Sequence, residues 1–115
     1  MKVSKPPDVK VIPILRVADV DVSLPWWARL GFAEEFRHVF EPGFPRFVGV
    51  VRDGCRVYLS EHTGDAPGPS LVYLWVPDVD AIAADLGAEV EDNPWARDCE
   101  VVDPDGNRVR VATAP

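Results

Sequence analysis

Residues 17–21, with the sequence VADVD, recur as VPDVD at residues 76–80, and residues 30–32 (LGF) recur as LGA at residues 86–88. The offsets are 59 and 56 positions, which predicts a second helix about one turn shorter than the first. Two copies of about 55 residues predict a pseudo-twofold domain, because a solenoid needs at least three units. Neither half is expected to fold alone, since so short a chain buries too little apolar surface.

The first half is predicted to form one strand, one helix and three further strands. Residues 9–17 are β-rich, but Pro13 cannot donate a ladder hydrogen bond, which predicts an edge strand or one that crosses to a second subunit. Ser23 is predicted to cap the helix, with Pro25 in its first turn, and Gly31 to end it in a left-handed conformation. The remaining strands are predicted at residues 34–40, 46–52 and 55–60.

The second half repeats this βαβββ order. A helix is predicted over residues 79–86, capped by Asp78 and ended by Gly87. The strands are predicted at residues 70–76, 88–91, 98–102 and 108–112. The predicted fold class is therefore α+β, with two βαβββ modules forming curved mixed sheets within one domain, residues 1–115. Module 1 covers about residues 9–62 and module 2 about residues 70–113.

The charge is acidic and unevenly distributed. The net charge is -7, and residues 58–115 hold twelve acidic and three basic groups. Nucleic-acid binding is disfavoured, because phosphate neutralisation needs a basic face. No apolar run is long enough to cross a bilayer or to form the core of a signal peptide, so we expect a cytoplasmic protein without membrane contact. Cys55 and Cys99 are expected to be reduced thiols.

Residue types for catalysis are scarce. Ser60, Glu61 and His62 are sequence neighbours that alternate across a strand, so they do not converge as a triad. His38 and His62 are the only histidines, whereas a catalytic divalent site usually needs two histidines and a carboxylate, or three histidines. No phosphate-binding glycine loop is present. We therefore expect no cofactor and no metal.

The tryptophans fall into two groups. Trp26 and Trp27 lie on the first helix and are expected to pack in the core. Trp95 follows a proline in a polar connection, which favours stacking on a ligand or a partner subunit. Tyr73 and Trp75 share one face of a strand by its period of two. Aromatic groups beside an acidic half suit a planar, cationic organic ligand.

Several motifs together resemble a known family. They are residues 13–19 (PILRVAD), 26–32 (WWARLGF), 58–60 (YLS), 73–76 (YLWV), 93–97 (NPWAR) and 103–107 (DPDGN). The chain resembles the vicinal oxygen chelate superfamily, which includes glyoxalase I, extradiol dioxygenases, fosfomycin resistance enzymes and bleomycin resistance proteins. The resemblance places the metal-ligand positions of the enzymes at Ile12, Tyr58, Leu71 and Arg110. None of these is a normal divalent-metal ligand, and Arg110 would repel a cation.

This departure implies the bleomycin resistance branch. Its members have a proline on the first strand at the position of Pro13. They are non-catalytic homodimers that exchange the N-terminal strand. They sequester a bleomycin-like cationic glycopeptide antibiotic in grooves at the subunit interface. The resemblance implies that Trp95 and Phe47 sandwich the drug's flat rings. It further implies a groove lined by Phe36, Ser60, Tyr73 and Trp75.

Two alternatives remain open from the sequence. One is a metal-dependent lyase, isomerase or dioxygenase of the same superfamily, with a displaced site built from His38, Glu61 or His62. The other is a protein that binds another small aromatic metabolite and has no role in resistance.

Overall fold

The repeat appears in the fold as two similar units of one helix and four strands each. A computed structural model describes residues 8–115. The first unit consists of β1 (Ile14–Arg16), α1 (Val20–Arg29), β2 (Ala33–His38), β3 (Phe47–Arg52) and β4 (Cys55–Ser60). The second consists of β5 (Leu71–Trp75), α2 (Val79–Leu86), β6 (Glu91–Asp92), β7 (Arg97–Val102) and β8 (Arg108–Thr113). Neither helix in the described part of the chain is long and apolar enough to cross a membrane.

Each unit forms one four-stranded mixed sheet. The strand orders are β1-β4-β3-β2 in sheet 1 and β5-β8-β7-β6 in sheet 2. β1 pairs with β4 and β5 pairs with β8 in parallel, whereas the other pairs are antiparallel. The predicted α+β class with two βαβββ modules is confirmed. β1 lies at a sheet edge, as the proline before it requires.

Only one face of each sheet is covered within the chain. Alternate residues such as Val48, Val50 and Leu59 are buried with α1, and Val109 and Val111 are buried with α2. The opposite faces have no covering layer among the described residues. The molecule is therefore flat, with a thickness of 22 Å and a radius of gyration of 15.9 Å, against about 13 Å for a compact globule of this length.

The start of α1 corrects the predicted cap. The helix begins at Val20, and the N-cap is Asp19, whose carboxylate accepts a hydrogen bond from the Asp21 amide at 2.8 Å. Ser23 lies inside the helix and is fully buried, and its hydroxyl donates to the Asp19 carbonyl at 3.2 Å. Pro25 consequently lies beyond the first turn. The repeat itself indicates Asp19 as the cap, because Asp78, the equivalent residue in the second module, caps α2 as predicted.

The helix ends agree with the prediction. Gly31 and Gly87 have φ values of 87° and 69°, in the left-handed region that glycine adopts without steric strain. The predicted α2 boundaries are confirmed.

Five strands are shorter than predicted. β3 begins at Phe47 rather than at Arg46, and β5 covers Leu71–Trp75 rather than residues 70–76. β1 begins at Ile14 rather than at residue 9. Pro13 has no amide hydrogen to donate, although its carbonyl accepts a hydrogen bond from the Tyr58 amide at 2.9 Å. β2 ends at His38, before the turn over residues 39–46. The strand predicted at residues 88–91 contracts to Glu91–Asp92, because the Ala88 amide still donates to the Ala83 carbonyl and closes α2.

The predicted turn at residues 103–107 joins the two modules. The Asp105 carboxylate accepts a hydrogen bond from the Ala18 amide at 2.9 Å. The buried Asn107 side chain donates to the Arg16 carbonyl at 3.1 Å and accepts from the Ser70 amide at 2.9 Å. This turn therefore binds the start of α1, the end of β1 and the start of β5 together.

Replacing Asn107 with alanine is expected to lower the free energy of unfolding by about 2 to 3 kcal/mol, because the Ser70 amide and the Arg16 carbonyl lose their partner. Urea denaturation measures this change. Asn93→Ala is the matched control, since Asn93 makes one side-chain hydrogen bond, to Asp98 at 3.2 Å, and should cost below about 1 kcal/mol. Equal losses in the two variants would contradict the joining role of Asn107.

Candidate functional site

Three aromatic side chains lie together on the open face of sheet 1. Phe36 on β2, Phe47 on β3 and Tyr58 on β4 form this aromatic cluster. Each phenylalanine ring centroid lies 5.3 Å from that of Tyr58, and the two phenylalanine rings stack at 6.2 Å with an interplanar angle of 20°. Tyr58 meets the two phenylalanine rings edge-on, at interplanar angles of 78° and 64°, and the cluster offers aromatic surface to a ligand.

Glycine at position 49 makes this cluster possible. Gly49 pairs with both Phe36 and Tyr58 across the sheet, and a Cβ atom there would lie 2.1 Å from Cε1 of Phe36. The Phe36 ring therefore lies directly over the backbone of β3.

A second feature of sheet 1 is a histidine-containing groove of about 350 Å³. It is lined by His38, Phe40, Phe47, His62 and Asp65. The Phe40 ring packs edge-on against both imidazoles, at centroid distances of 4.6 Å to His38 and 6.4 Å to His62.

The open face of sheet 2 carries a larger groove of about 520 Å³, which we call the acidic groove. Trp95 is 63% exposed and lies in the turn between β6 and β7, where the Asn93 amide donates to the Ala96 carbonyl at 2.9 Å. Tyr73 on β5 lies beside Trp75, with ring centroids 5.4 Å apart. The groove is lined by Tyr73, Asn93, Trp95, Cys99, Arg110 and four acidic residues, Glu89, Glu91, Asp98 and Glu100.

The charges in the acidic groove are not balanced. Arg110 lies 3.3 Å from Glu100. Glu89, Glu91 and Asp98 form no salt bridge with any residue from 8 to 115. Three carboxylates thus remain available to attract a cation beside two exposed aromatic rings. Burial raises the pKa of the adjacent Cys99 thiol, which keeps this sulfur in its neutral, unreactive form.

The two open faces have the same geometry but different chemistry. In sheet 1 one cross-strand row contains Ile14, Tyr58 and Gly49. The corresponding row of sheet 2 contains Tyr73, Arg110 and Glu100. The open face of the first module is therefore aromatic, whereas that of the second combines aromatic side chains with charged ones.

The structure groups the residues predicted for the site into separate sets. Phe36 and Phe47 belong to the aromatic cluster, whereas Tyr73 and Trp95 line the acidic groove and Trp75 lies next to it. Within one chain, Phe47 and Trp95 thus line different grooves, and a shared groove would need a second subunit.

Ser60 is fully buried rather than exposed in a groove. Its hydroxyl donates to the Asp65 carboxylate at 2.5 Å and accepts from the His62 amide at 3.1 Å. In this structure Ser60 orders the segment after β4.

Several site residues were missed from the sequence. Tyr58 was considered only as a metal-ligand position, although it forms the centre of the aromatic cluster. The composition of residues 58–115 indicates an acidic excess, but it does not indicate which carboxylates converge in the acidic groove. The alternation of polar and apolar residues in β7 indicates two of them, because Asp98 and Glu100 lie on the opposite face from the buried Cys99 and Val101.

The described residues do not bring a set of metal donors together. No group of three His, Cys, Asp or Glu side chains among residues 8–115 is placed to hold a metal ion. Of the residues considered for a displaced site, Glu61 accepts hydrogen bonds from the Val20 amide at 2.9 Å and from the Arg46 guanidinium at 2.8 Å. Burial raises the pKa of Glu61, but these hydrogen bonds outweigh it and hold the pKa below its usual value. Through these hydrogen bonds Glu61 links the start of β3 to the start of α1.

The Gly49→Ala variant should push the Phe36 ring off β3 and disperse the aromatic cluster. Because the ring is partly exposed and can swing outward, the expected cost in unfolding free energy is modest, about 1 to 2 kcal/mol. The Tyr58 ring protons should lose their ring-current shifts in NMR spectra. Gly68→Ala is the control, since a Cβ there would meet nothing within 4 Å. Unchanged Tyr58 shifts in Gly49→Ala would contradict the role assigned to Gly49.

Comparisons with known proteins agree with this architecture. A family model described as "Glyoxalase superfamily protein" matches residues 8–114. Among curated proteins, none matches the chain significantly.

Solved structures with the same fold include binding proteins and an enzyme. An antibiotic-binding protein from Streptomyces sp. CB03234 superimposes with a TM-score of 0.69 at 21% identity, covering 95% of this chain and 99% of that one. A bleomycin-binding protein complexed with bleomycin gives 0.66 at 18% identity, covering 93% and 99%. A lactoylglutathione lyase from Agrobacterium tumefaciens gives 0.65 at 20% identity, covering 95% and 96%. Because the family model spans almost the whole chain and the fold agrees, this protein belongs to the glyoxalase superfamily.

Proposed function

We propose that this protein is a non-catalytic homodimer that sequesters a bleomycin-like cationic glycopeptide antibiotic in grooves between its subunits. The observation that carries the proposal is the combination of exposed aromatic rings on both open faces with three carboxylates in the acidic groove that have no basic partner among residues 8–115. A ligand with flat rings and a cationic tail is complementary to both faces at once.

The uncovered sheets support the proposal of a second subunit. The exposed side chains on them include Ile14, Phe36, Tyr73 and Trp75, and contiguous exposed apolar surface commonly marks an interaction site. Docking sheet 1 of one subunit opposite sheet 2 of its partner covers both faces. Such a dimer would bring Phe47 of one subunit to the groove that contains Trp95 of the other.

The manner of dimerisation involves the N-terminal segment. β1 pairs with β4 of its own chain, and the preceding Val9 and Val11 are almost fully exposed. We propose that the segment around Pro13 contacts the partner subunit, either by strand exchange or in a side-by-side dimer.

In the proposed complex both faces supply stacking, and the face of sheet 2 also supplies charge. Trp95 and Phe47 stack on the drug's rings, an arrangement worth about 0.5 to 1.5 kcal/mol per aromatic pair beyond area burial. Glu89, Glu91 and Asp98 attract the positive tail, at about 1 kcal/mol per close pair in water.

The absence of suitable donors supports binding rather than catalysis. The positions that hold metal in superfamily enzymes are Ile12, Tyr58, Leu71 and Arg110 here, and Glu61 is already occupied by hydrogen bonds. Metal analysis of protein purified without chelator tests the enzymatic alternative. A stoichiometric transition metal would favour that alternative and contradict the proposal.

Calorimetric titration with copper-loaded and metal-free bleomycin should give saturable heat at micromolar drug. Trp95→Ala should weaken binding by about 1 to 3 kcal/mol, as is usual for the loss of an interface aromatic. Phe44→Ala is the matched control, because Phe44 is an exposed aromatic residue outside the acidic groove. Its affinity should equal that of the parent protein.

Two outcomes would contradict this prediction. If neither form of bleomycin gives saturable heat, the antibiotic assignment is wrong, and a smaller aromatic metabolite becomes the better candidate. If the drug binds but Trp95→Ala has unchanged affinity, Trp95 does not stack on it.

Sedimentation equilibrium should give twice the mass of the 12.7 kDa chain. Phe36→Glu should shift the protein to monomer, because it places a charge on the aromatic face opposite the acidic face of the partner. Phe44→Glu adds the same charge outside the face and should remain dimeric. Circular dichroism checks that both variants are folded, and a folded, dimeric Phe36→Glu protein would contradict the proposed interface.

A further inference from the structure

One basic side chain lies among the acidic and aromatic residues of the acidic groove. Arg110 on β8 lines the groove and is half exposed. In the sheet it pairs with Tyr73 on β5 and with Glu100 on β7. Because neighbouring strands are about 4.8 Å apart, a ligand that stacks on Tyr73 lies next to a positive charge.

The guanidinium of Arg110 has donors that the protein does not use. Its Nε donates to Oε1 of Glu100 at 3.3 Å, and this is its one side-chain hydrogen bond to residues 8–115. The same oxygen accepts a hydrogen bond from Arg108 at 3.4 Å, so two arginines share Glu100. Since a guanidinium carries five N–H donors, the terminal nitrogens of Arg110 are available to a ligand.

Charges of opposite sign are separated along the strands of this open face. Arg108 and Arg110 occupy alternate positions of β8. The next row beyond Arg110 contains Trp75 and Asp98, and Glu91 on β6 pairs with Asp98. Successive rows on one face are about 7 Å apart, a distance that a fused aromatic ring system spans. The groove therefore offers a cation and carboxylates to the two ends of one ligand.

A ligand that carries only positive charge uses this arrangement poorly. The carboxylates of Glu91 and Asp98 attract it, but Arg110 repels it and keeps its own donors unpaired. An oxyanion on the same ligand replaces this repulsion with charge-assisted hydrogen bonds, and a carboxylate can accept two of them from one guanidinium. The groove thus fits best a ligand that carries charges of both signs.

We propose that Arg110 is a specificity-determining residue, which selects ligands that combine flat rings and a cationic group with a carboxylate or another oxyanion. The rings lie against Tyr73 and Trp95, the oxyanion binds Arg110, and the cationic group lies toward Glu91 and Asp98. This inference rests on the proposed function of the acidic groove as a ligand site, and it narrows the ligand to those with both charges.

Rhodamine B and its ethyl ester form a matched probe pair, because they share a flat cationic xanthene and differ in one carboxylate. Titration of each dye with the full chain at neutral pH and low salt, followed by fluorescence anisotropy, gives both affinities. Rhodamine B should bind roughly two- to tenfold more tightly, as expected for a charge-assisted hydrogen bond in a partly exposed groove. Without the Arg110 contact, the excess of carboxylates would favour the cationic ester instead.

Two variants distinguish a ligand contact from the salt bridge with Glu100. Arg110→Gln should reverse the preference, because rhodamine B loses its partner while the ester is no longer repelled. Arg108→Gln is the matched control, since it removes the same charge and a contact to the same oxygen of Glu100, but Arg108 does not line the groove. It should change the ratio of the two affinities by less than about twofold, because a more distant charge is screened.

A third variant locates the dyes. Trp95→Ala should weaken both to a similar extent, because both are expected to stack in the acidic groove. Circular dichroism checks that each variant is folded.

The inference is overturned if the parent protein binds neither dye or prefers the ester, or if Arg110→Gln retains the preference for rhodamine B. It is also overturned if Arg108→Gln loses that preference to the same extent, or if Trp95→Ala leaves both affinities unchanged. The bleomycin titration decides the proposed function separately, because a groove can bind bleomycin without discriminating between the dyes, and can discriminate between them without binding bleomycin.

Discussion

The constraint on which the rest of the structure depends is that each four-stranded sheet has one helix, and one helix covers one face. The covered faces form a continuous core in which Trp27, Leu30, Val79 and Val111 are almost completely buried. Residues 8–115 include no further element that covers the other faces, and this part of the chain is consequently only 22 Å thick. A protein of this architecture must therefore place water, ligand or another subunit against its two remaining sheet faces.

Duplication preserved the covered side and diversified the open side. In each module an arginine at the start of an inner strand reaches a carboxylate in the first turn of the helix, Arg46 to Asp21 and Arg97 to Asp80, both at 2.7 Å. Hydrogen bonds from these arginines lower the pKa of both carboxyl groups. On the open side, Tyr58 and Gly49 of the first module correspond to Arg110 and Glu100 of the second. The two modules thus share this arginine–carboxylate contact but differ in the chemistry of their open faces.

Local sequence signals predicted most of the scaffold. The boundaries of β4 and α2 and the glycine stops depend on interactions between near neighbours, so pattern and turn chemistry suffice. Ser23 was wrong as a cap because a better acceptor, Asp19, lies four residues earlier. The site was harder to predict, since the Phe36 ring position depends on a bulge between Glu34 and Phe36 and on Gly49 in another strand. Such cross-strand relations are set by register, which a sequence pattern alone specifies weakly.

The acidic groove also has an energetic consequence for the free protein. Glu89, Glu91 and Asp98 lie near one another without a basic partner among the described residues, and like charges close together repel. The fold tolerates this repulsion because the groove is open to water, which screens it. Closing the groove with a second subunit would remove that screening, and a bound cation would then compensate the charge. Ligand binding and subunit association should accordingly reinforce each other, since each is more favourable when the other has occurred.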